Sequence, residues 1–109
     1  MVKFMVVLSR RASMTPDRFR QYFKEVHEPM ALQIPGLRKY VQNFAMDDSK
    51  RNRPPWDAII ELYFDDWPSM ETSWASPEGQ AATDDLAQFA DLNNSACSSV
   101  EELVIRQAQ

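Results

Sequence analysis

The first seven patterned residues, Val2–Leu8 (VKFMVVL), are apolar on both sides of an extended chain. Phe4, Val6 and Leu8 fall on one face, Met5 and Val7 on the other. A strand of this kind is one covered on both faces. A helix start follows: Thr15 is placed to cap it, Pro16 takes the first helical position, and Asp17 complements the helix dipole. Phe19, Tyr22, Phe23, Val26 and Met30 then recur at helical spacing and predict one apolar face. His27 falls at the margin of that face, one turn beyond Phe23. Pro29 strains the helix beside it, and Pro35-Gly36 ends it.

Leu37–Met46 (LRKYVQNFAM) reads as a second strand, with Leu37, Lys39, Val41, Asn43 and Ala45 on one face and Arg38, Tyr40, Gln42, Phe44 and Met46 on the other. Neither face is simply apolar, a pattern suited to lining a polar-studded pocket or an interface. Asp47–Pro55 is a loop, and Trp56–Phe64 (WDAIIELYF) a third strand. Its face Trp56, Ala58, Ile60, Leu62, Phe64 is wholly apolar, while Asp57, Ile59, Glu61 and Tyr63 share the opposite one. A short helix is expected over Asp66–Trp74. Ser76-Pro77-Glu78 repeats the cap, proline and acidic first turn, and opens a helix to about Asp91 with Ala81, Ala82, Leu86, Phe89 and Ala90 as its buried stripe. Cys97–Ile105 is expected as the last strand.

The order β-α-β-β-α-β predicts an α+β, ferredoxin-like subunit: a four-stranded antiparallel sheet with two helices on one face. The helix-free face would be bare in a monomer, yet strands 1 and 3 are apolar on both sides. A second copy packed sheet against sheet around a two-fold axis is the simplest cover.

Length and charge narrow the functions open to such a chain. The 109 residues fit one domain, 1–109, without linker or repeat, and a chain this short buries roughly two-thirds of its unfolded surface. With 12 Lys and Arg against 16 Asp and Glu, the net charge of −4 supplies no electrostatic footprint for nucleic acid. The basic cluster Lys50-Arg51-Asn52-Arg53 lies between Asp47-Asp48 and Pro54-Pro55 and reads as a solvated loop. A single cysteine, Cys97, forbids an internal disulfide and reads as a small buried residue. No run reaches the ~18 apolar residues of a membrane span, and MVKFMVVLSRR is not patterned as a signal peptide. The expectation is a cytoplasmic protein with no membrane and no nucleic-acid partner. One histidine without a second His or Cys nearby is not a metal set, and no phosphate-cradling glycine loop is present, so neither a metal nor a nucleotide cofactor is expected.

Three stretches carry a family resemblance. HEPMALQIPGLRKYVQN (His27–Asn43) resembles the H-x-P…PGL-[RK]-x-Y segment of the EthD family. WDAIIELYFDD resembles that family's "yDgiaElwFd" strand, and SPEGQAATDDLAQFAD its second-helix segment, which often opens Ser-Pro-x-Gly. The resemblance spans nearly the whole chain in the expected order. It implies a dimeric α+β barrel of two ferredoxin-like subunits without a bound cofactor. It also implies a family whose members and relatives include a protein needed for ethyl tert-butyl ether degradation, methylmuconolactone methylisomerase, dehydratases or cyclases of aromatic polyketides, and cofactor-free monooxygenases. The fold alone does not choose among these.

The candidate chemistry centres on His27, the one side chain that titrates near neutral pH. A neutral imidazole there would take a proton from a carbon acid or give one to a leaving hydroxyl; the alternative is a helix-end histidine capping carbonyls. Asp57 and Glu61 match acidic positions of the family strand, and would orient His27, hold a proton or bind substrate hydroxyls; the alternative is an ion pair with Arg38, Lys39 or Arg10 at the dimer interface. Tyr40 and Asn43 offer a hydroxyl and an amide to polarise a carbonyl, and a regular strand points them to opposite faces, Tyr40 being the favoured one. Tyr22, Phe23, Trp56, Trp74 and Phe89 are core residues or walls of a pocket for a small hydrophobic or aromatic ligand. The expected function is a cofactor-independent lyase or isomerase acting by His-mediated proton transfer. The alternatives are a non-catalytic binding protein for a hydrophobic intermediate and a cofactor-free monooxygenase.

Overall fold

The computed structural model describes residues 1–108. Strands β1 (Val2–Leu8), β2 (Lys39–Phe44), β3 (Ala58–Phe64) and β4 (Ala96–Val100) form one antiparallel sheet in the order β2-β3-β1-β4. The first crossover holds α1 (Pro16–Tyr22), a π-helical turn (Phe23–His27) and α2 (Glu28–Ala31). The second holds α3 (Trp67–Ala75), α4 (Pro77–Asp85) and the 3-10 turns Leu86–Gln88 and Leu92–Asn94. This is the α+β, ferredoxin-like arrangement expected from the order of elements.

Local chemistry sets where the helices begin. Thr15 Oγ1 accepts from Arg18 N–H at 3.2 Å, Asp66 Oδ1 from Ser69 N–H at 2.8 Å, and Ser76 Oγ from Gly79 N–H at 3.0 Å. Each cap is followed by a proline in the first turn, where its missing N–H costs nothing. Gly36 ends the first crossover with φ 78°, a conformation that favours glycine. The buried Ser73 hydroxyl of α3 contacts Pro35 O beside it and Ser69 O one turn back, so α3 is pinned to that turn.

The core lies between the helices and one sheet face. Leu8, Ala58, Ile60, Leu62 and Phe64 are buried against Phe19, Phe23, Met70, Ala82 and Phe89, so the apolar face read from the third strand is the helix-covered one. The opposite face carries Met5, Val7, Val41 and Ile59 half-buried, with a polar cluster at one end. There Lys3 pairs with Glu61 and with Glu102, whose Oε2 lies 2.8 Å from Lys3 Nζ and accepts from the Tyr63 hydroxyl at 3.0 Å. Hydrogen bonds donated to Glu102 and Glu61 hold the Lys3 ammonium above the ordinary lysine range, and the Lys3 bond holds Glu61 below the usual carboxylate range.

Several boundaries differ from the sequence reading, each for a physical reason. The last strand stops at Val100 rather than running to Ile105. Val100 pairs with Lys3, one residue from the start of β1, so only Val2 remains and a strand running on to Ile105 has no partner. Leu103, Val104 and Ile105 are 69%, 63% and 89% exposed. The second strand is trimmed to Lys39–Phe44 and the third begins at Ala58, leaving Trp56 and Asp57 in the preceding connection. The second main helix ends at Asp85, and Ala81 is exposed rather than buried.

The first helix differs most usefully. Its buried positions are Phe19, Phe23, His27 and Ala31, spaced by four. In a regular α-helix such a stripe drifts by about 40° per step. The π-helical turn removes part of that drift, because the Glu28 N–H reaches back five residues to Phe23 O. Pro29, which cannot donate to the carbonyl of Glu25, lies just beyond it. The widened turn swings Val26 outward to 40% exposure and brings His27 from the expected margin to 6%.

Candidate active site

Between the sheet and the helices lies a cavity of about 490 Å³. Its floor is the helix-covered sheet face, with Phe4, Val6 and Leu8 of β1 beside Ile60 and Leu62 of β3. His27 and Ala31 close it from the first crossover, Trp74 from α3, and Ala82, Thr83 and Asp84 from α4. Tyr40 of β2 and Cys97 of β4 reach it from the two edge strands. Cys97 is exposed there rather than buried as expected.

His27 is held by a partner 58 positions along the chain. Its Nδ1 lies 3.0 Å from Asp85 Oδ2, and Asp85 Oδ1 accepts from the Tyr22 hydroxyl at 2.7 Å. The His27 and Asp85 side chains are 8% and 9% exposed. Phe23 meets the imidazole edge-on at 5.3 Å and Phe89 tilts against it at 5.1 Å, so the ring has little freedom. A carboxylate accepts only, so His27 carries its proton on Nδ1 and Nε2 is left as the lone-pair nitrogen. Burial pushes the imidazole below its ordinary value, outweighing the Asp85 hydrogen bond and charge, which raise it. His27 is therefore neutral at pH 7, in the tautomer a proton acceptor needs. Burial and Asp85 together push the Tyr22 hydroxyl up to about 12, so it stays protonated and donating.

Tyr40 is the second polar group on the cavity wall. Its hydroxyl receives a long 3.5 Å contact from Gln42 Nε2, which is directed mainly at Glu28 Oε1 at 3.0 Å. Burial pushes Tyr40 up to about 12, so it too stays a neutral donor.

The structure separates the remaining candidates. Asp57 does not orient His27: it accepts from Arg10 N–H at 2.8 Å and from Arg53 at 3.3 Å, in the connection before β3. Glu61 does not either, because it faces the uncovered side of the sheet with Lys3 and Asn43, whose Nδ2 donates to it at 2.9 Å. Asn43 is thus outside the cavity, on the strand face opposite Tyr40. Trp56 is not part of the lining. Phe23 and Phe89 are fully buried behind His27, and Tyr22 reaches the site only through Asp85. Trp74 lines the cavity, edge-on to Phe4 at 5.1 Å.

Asp85 was missed by the sequence reading. One local signal pointed to it: Asp84-Asp85 ends a helix, where the dipole disfavours carboxylates, so an acid retained there has another task. Among the described residues no three His, Cys, Asp or Glu side chains converge in a way that could hold a metal ion, and no helix is long and apolar enough to cross a membrane.

A neutral base at the end of an apolar cavity, backed by a carboxylate, suits proton transfer at carbon, and relatives give this geometry its setting. The EthD domain model matches residues 11–93. An 11.0 kDa protein encoded in the thcB–thcC intergenic region of Rhodococcus erythropolis is 31% identical over 90 residues, 83% of this chain and 86% of that protein. Among solved structures, an EthD family protein from Bacillus halodurans superimposes with a TM-score of 0.82 at 23% identity, covering 94% of this chain and 99% of that one. A protein from Bacteroides fragilis described as dimeric and ferredoxin-like gives 0.67 at 23% identity, covering 93% and 95%. SnoaB, a cofactor-independent oxygenase from Streptomyces nogalater, gives 0.65 at 12% identity, covering 97% of each chain. The fold, the order of motifs and the extent of the match agree, and the chain belongs to the EthD family.

Proposed function

We propose that the protein is a cofactor-independent lyase or isomerase that moves a proton on a small, apolar or aromatic ring compound bearing a carbonyl or hydroxyl group. The observation that carries this reading is the buried His27–Asp85 pair at the wall of an apolar cavity. In it, His27 Nε2 takes a proton from a carbon next to a carbonyl, leaving the electron pair as an enolate. Asp85 stabilises the imidazolium that forms, as the carboxylate does in other base–carboxylate pairs. The Tyr40 hydroxyl donates to the enolate oxygen. The imidazolium then returns the proton to another carbon, an isomerisation, or gives it to a leaving hydroxyl, which departs as water in a dehydration. Both outcomes balance without a co-reactant.

The homodimer belongs to the same reading. Met5, Val7, Val41 and Ile59 on the uncovered sheet face are the surface a second copy would bury. The described dimeric state of the matched Bacteroides fragilis protein supports that assembly.

The test is exchange of the α-protons of a panel of cyclic ketones in deuterated water, followed by proton NMR. Wild-type protein should exchange at least one of them, and His27→Ala should lose about 10²–10⁴-fold of that rate. A rate unchanged by His27→Ala removes the base from the mechanism. Exchange by neither protein, with ketone still bound, favours a carrier of hydrophobic intermediates. Oxygen uptake coupled to turnover of a quinol would assign oxygenase chemistry instead.

A further inference from the structure

The cavity has an open side. Among the described residues that line it, only Gln80, Thr83 and Asp84 of α4 and Cys97 of β4 are exposed; the others are buried or half-buried. Gln80, Thr83 and Asp84 are three and four positions apart and share one side of their helix. Cys97 lies on the edge strand, paired with Val6 of β1. Val6 is only half-buried, although β1 is an interior strand and the residue belongs to the cavity floor. The opening therefore runs along β4, between that strand and α4.

The charge at this opening is unbalanced. No lysine or arginine lines the cavity among the described residues. Asp84 forms no ion pair among them. It stands in the last turn of α4, where the helix dipole disfavours a carboxylate. Further in, an ion finds no counter-charge. His27 and Tyr40 are neutral at pH 7, and Asp85 already accepts through one oxygen from Tyr22 and through the other from His27. A carboxylate moving inward thus meets repulsion at the rim and then desolvation against an apolar wall.

We propose that the ligand enters over the edge strand β4, between Cys97 and the Gln80–Thr83–Asp84 side of α4, and that the Asp84 carboxylate on this rim selects uncharged ligands by repelling anions. Asp84 is then a specificity-determining residue. This rests on the cavity being the ligand site of the proposed function, but not on the proton-transfer step.

Isothermal titration of the full chain at pH 7.5 tests it, with 2-acetylnaphthalene as the uncharged probe and 2-naphthoate as its anionic counterpart. Wild-type protein should bind the ketone at least about tenfold more tightly than the carboxylate. At low salt that ratio should shrink roughly threefold in Asp84→Asn and about tenfold in Asp84→Lys, which reverses the rim charge. In about 1 M salt the three proteins should converge, because an exposed charge is then screened within a few ångströms. A ratio in Asp84→Lys equal to that of wild type at low salt overturns the charge selection, as does naphthoate binding to wild type as tightly as the ketone. The entrance has its own readout in wild-type protein, since Cys97 is the one cysteine of the chain. Saturating ketone should slow alkylation of Cys97 by N-ethylmaleimide at least about fivefold, the thiol then standing beside an occupied opening. Ketone that binds without slowing the reaction overturns the entrance. In each of these cases a loss of exchange in His27→Ala would leave the proposed function standing. If neither probe binds, the cavity is not the ligand site and both readings fall.

Discussion

Asp85→Ala is the perturbation that most directly tests the site. The Asp85 carboxylate satisfies two donors, the Tyr22 hydroxyl at 2.7 Å and His27 Nδ1 at 3.0 Å, and is itself 9% exposed. Removing it strands both. An orphaned buried donor costs about 1–3 kcal/mol. The deeply buried His27 belongs in the upper part of that range and the half-buried Tyr22 in the lower. The sum is about 2–4 kcal/mol, or on the order of 10–20 °C in Tm for a chain of this size. Asp85→Asn keeps the shape and one acceptor, so it should lose only about 1–2 kcal/mol. It should nevertheless lower the His27 pKa below the wild-type value. Both influences that raise that pKa come from Asp85, so its charge is lost while the burial that lowers it remains. The assay is direct because the chain has one histidine: a single imidazole resonance is titrated by NMR in wild type and Asp85→Asn, with thermal melts alongside. A His27 pKa that is unchanged or higher in Asp85→Asn would show that the carboxylate does not govern the imidazole, and the base assignment would fail with it.

Three further outcomes are expected. Because burial holds the folded His27 pKa below its unfolded value near 6.5, the unfolded chain binds the extra proton first. Its contribution to stability is complete above that value and lost as pH falls through the folded pKa; the fall in Tm on acidification should be shallower in His27→Gln, and an identical slope would contradict the assignment. Gly79→Ala places a Cβ 2.0 Å from Ser73 O, a backbone atom that cannot step aside, and should cost about 2–3 kcal/mol by chemical denaturation; a cost below about 0.5 kcal/mol would mean that α3 and α4 pack differently. Ile59→Asp puts a charge on the uncovered sheet face and should convert a dimeric mass to a monomeric one in light scattering; a monomeric wild type at micromolar concentration would refute the dimer outright.

Much of the frame was written locally. The span of β1, the three caps with their prolines and the buried face of β3 follow from side-chain chemistry within a few residues. They carry the element order, and that order carries the ferredoxin-like sheet. The alternation that buried Ile60 and Leu62 under the helices also sent Glu61 away from His27. The sequence reading kept Glu61 as a possible partner of His27, and the structure removed it by placing it on the uncovered side of the sheet with Lys3 and Asn43.

What only the tertiary structure decided depends on distant partners. The end of β4 was set by the length of β1, since a strand lasts no longer than the neighbour it pairs with. The depth of His27 was set by a π-helical turn beside Pro29, where one residue of extra width redirected everything after Phe23. The partner of His27 was Asp85, from the far end of the other crossover. Sequence placed the base. The carboxylate that orients it came from packing two helices together, because a hydrogen bond between residues 58 positions apart leaves no periodic trace in the chain.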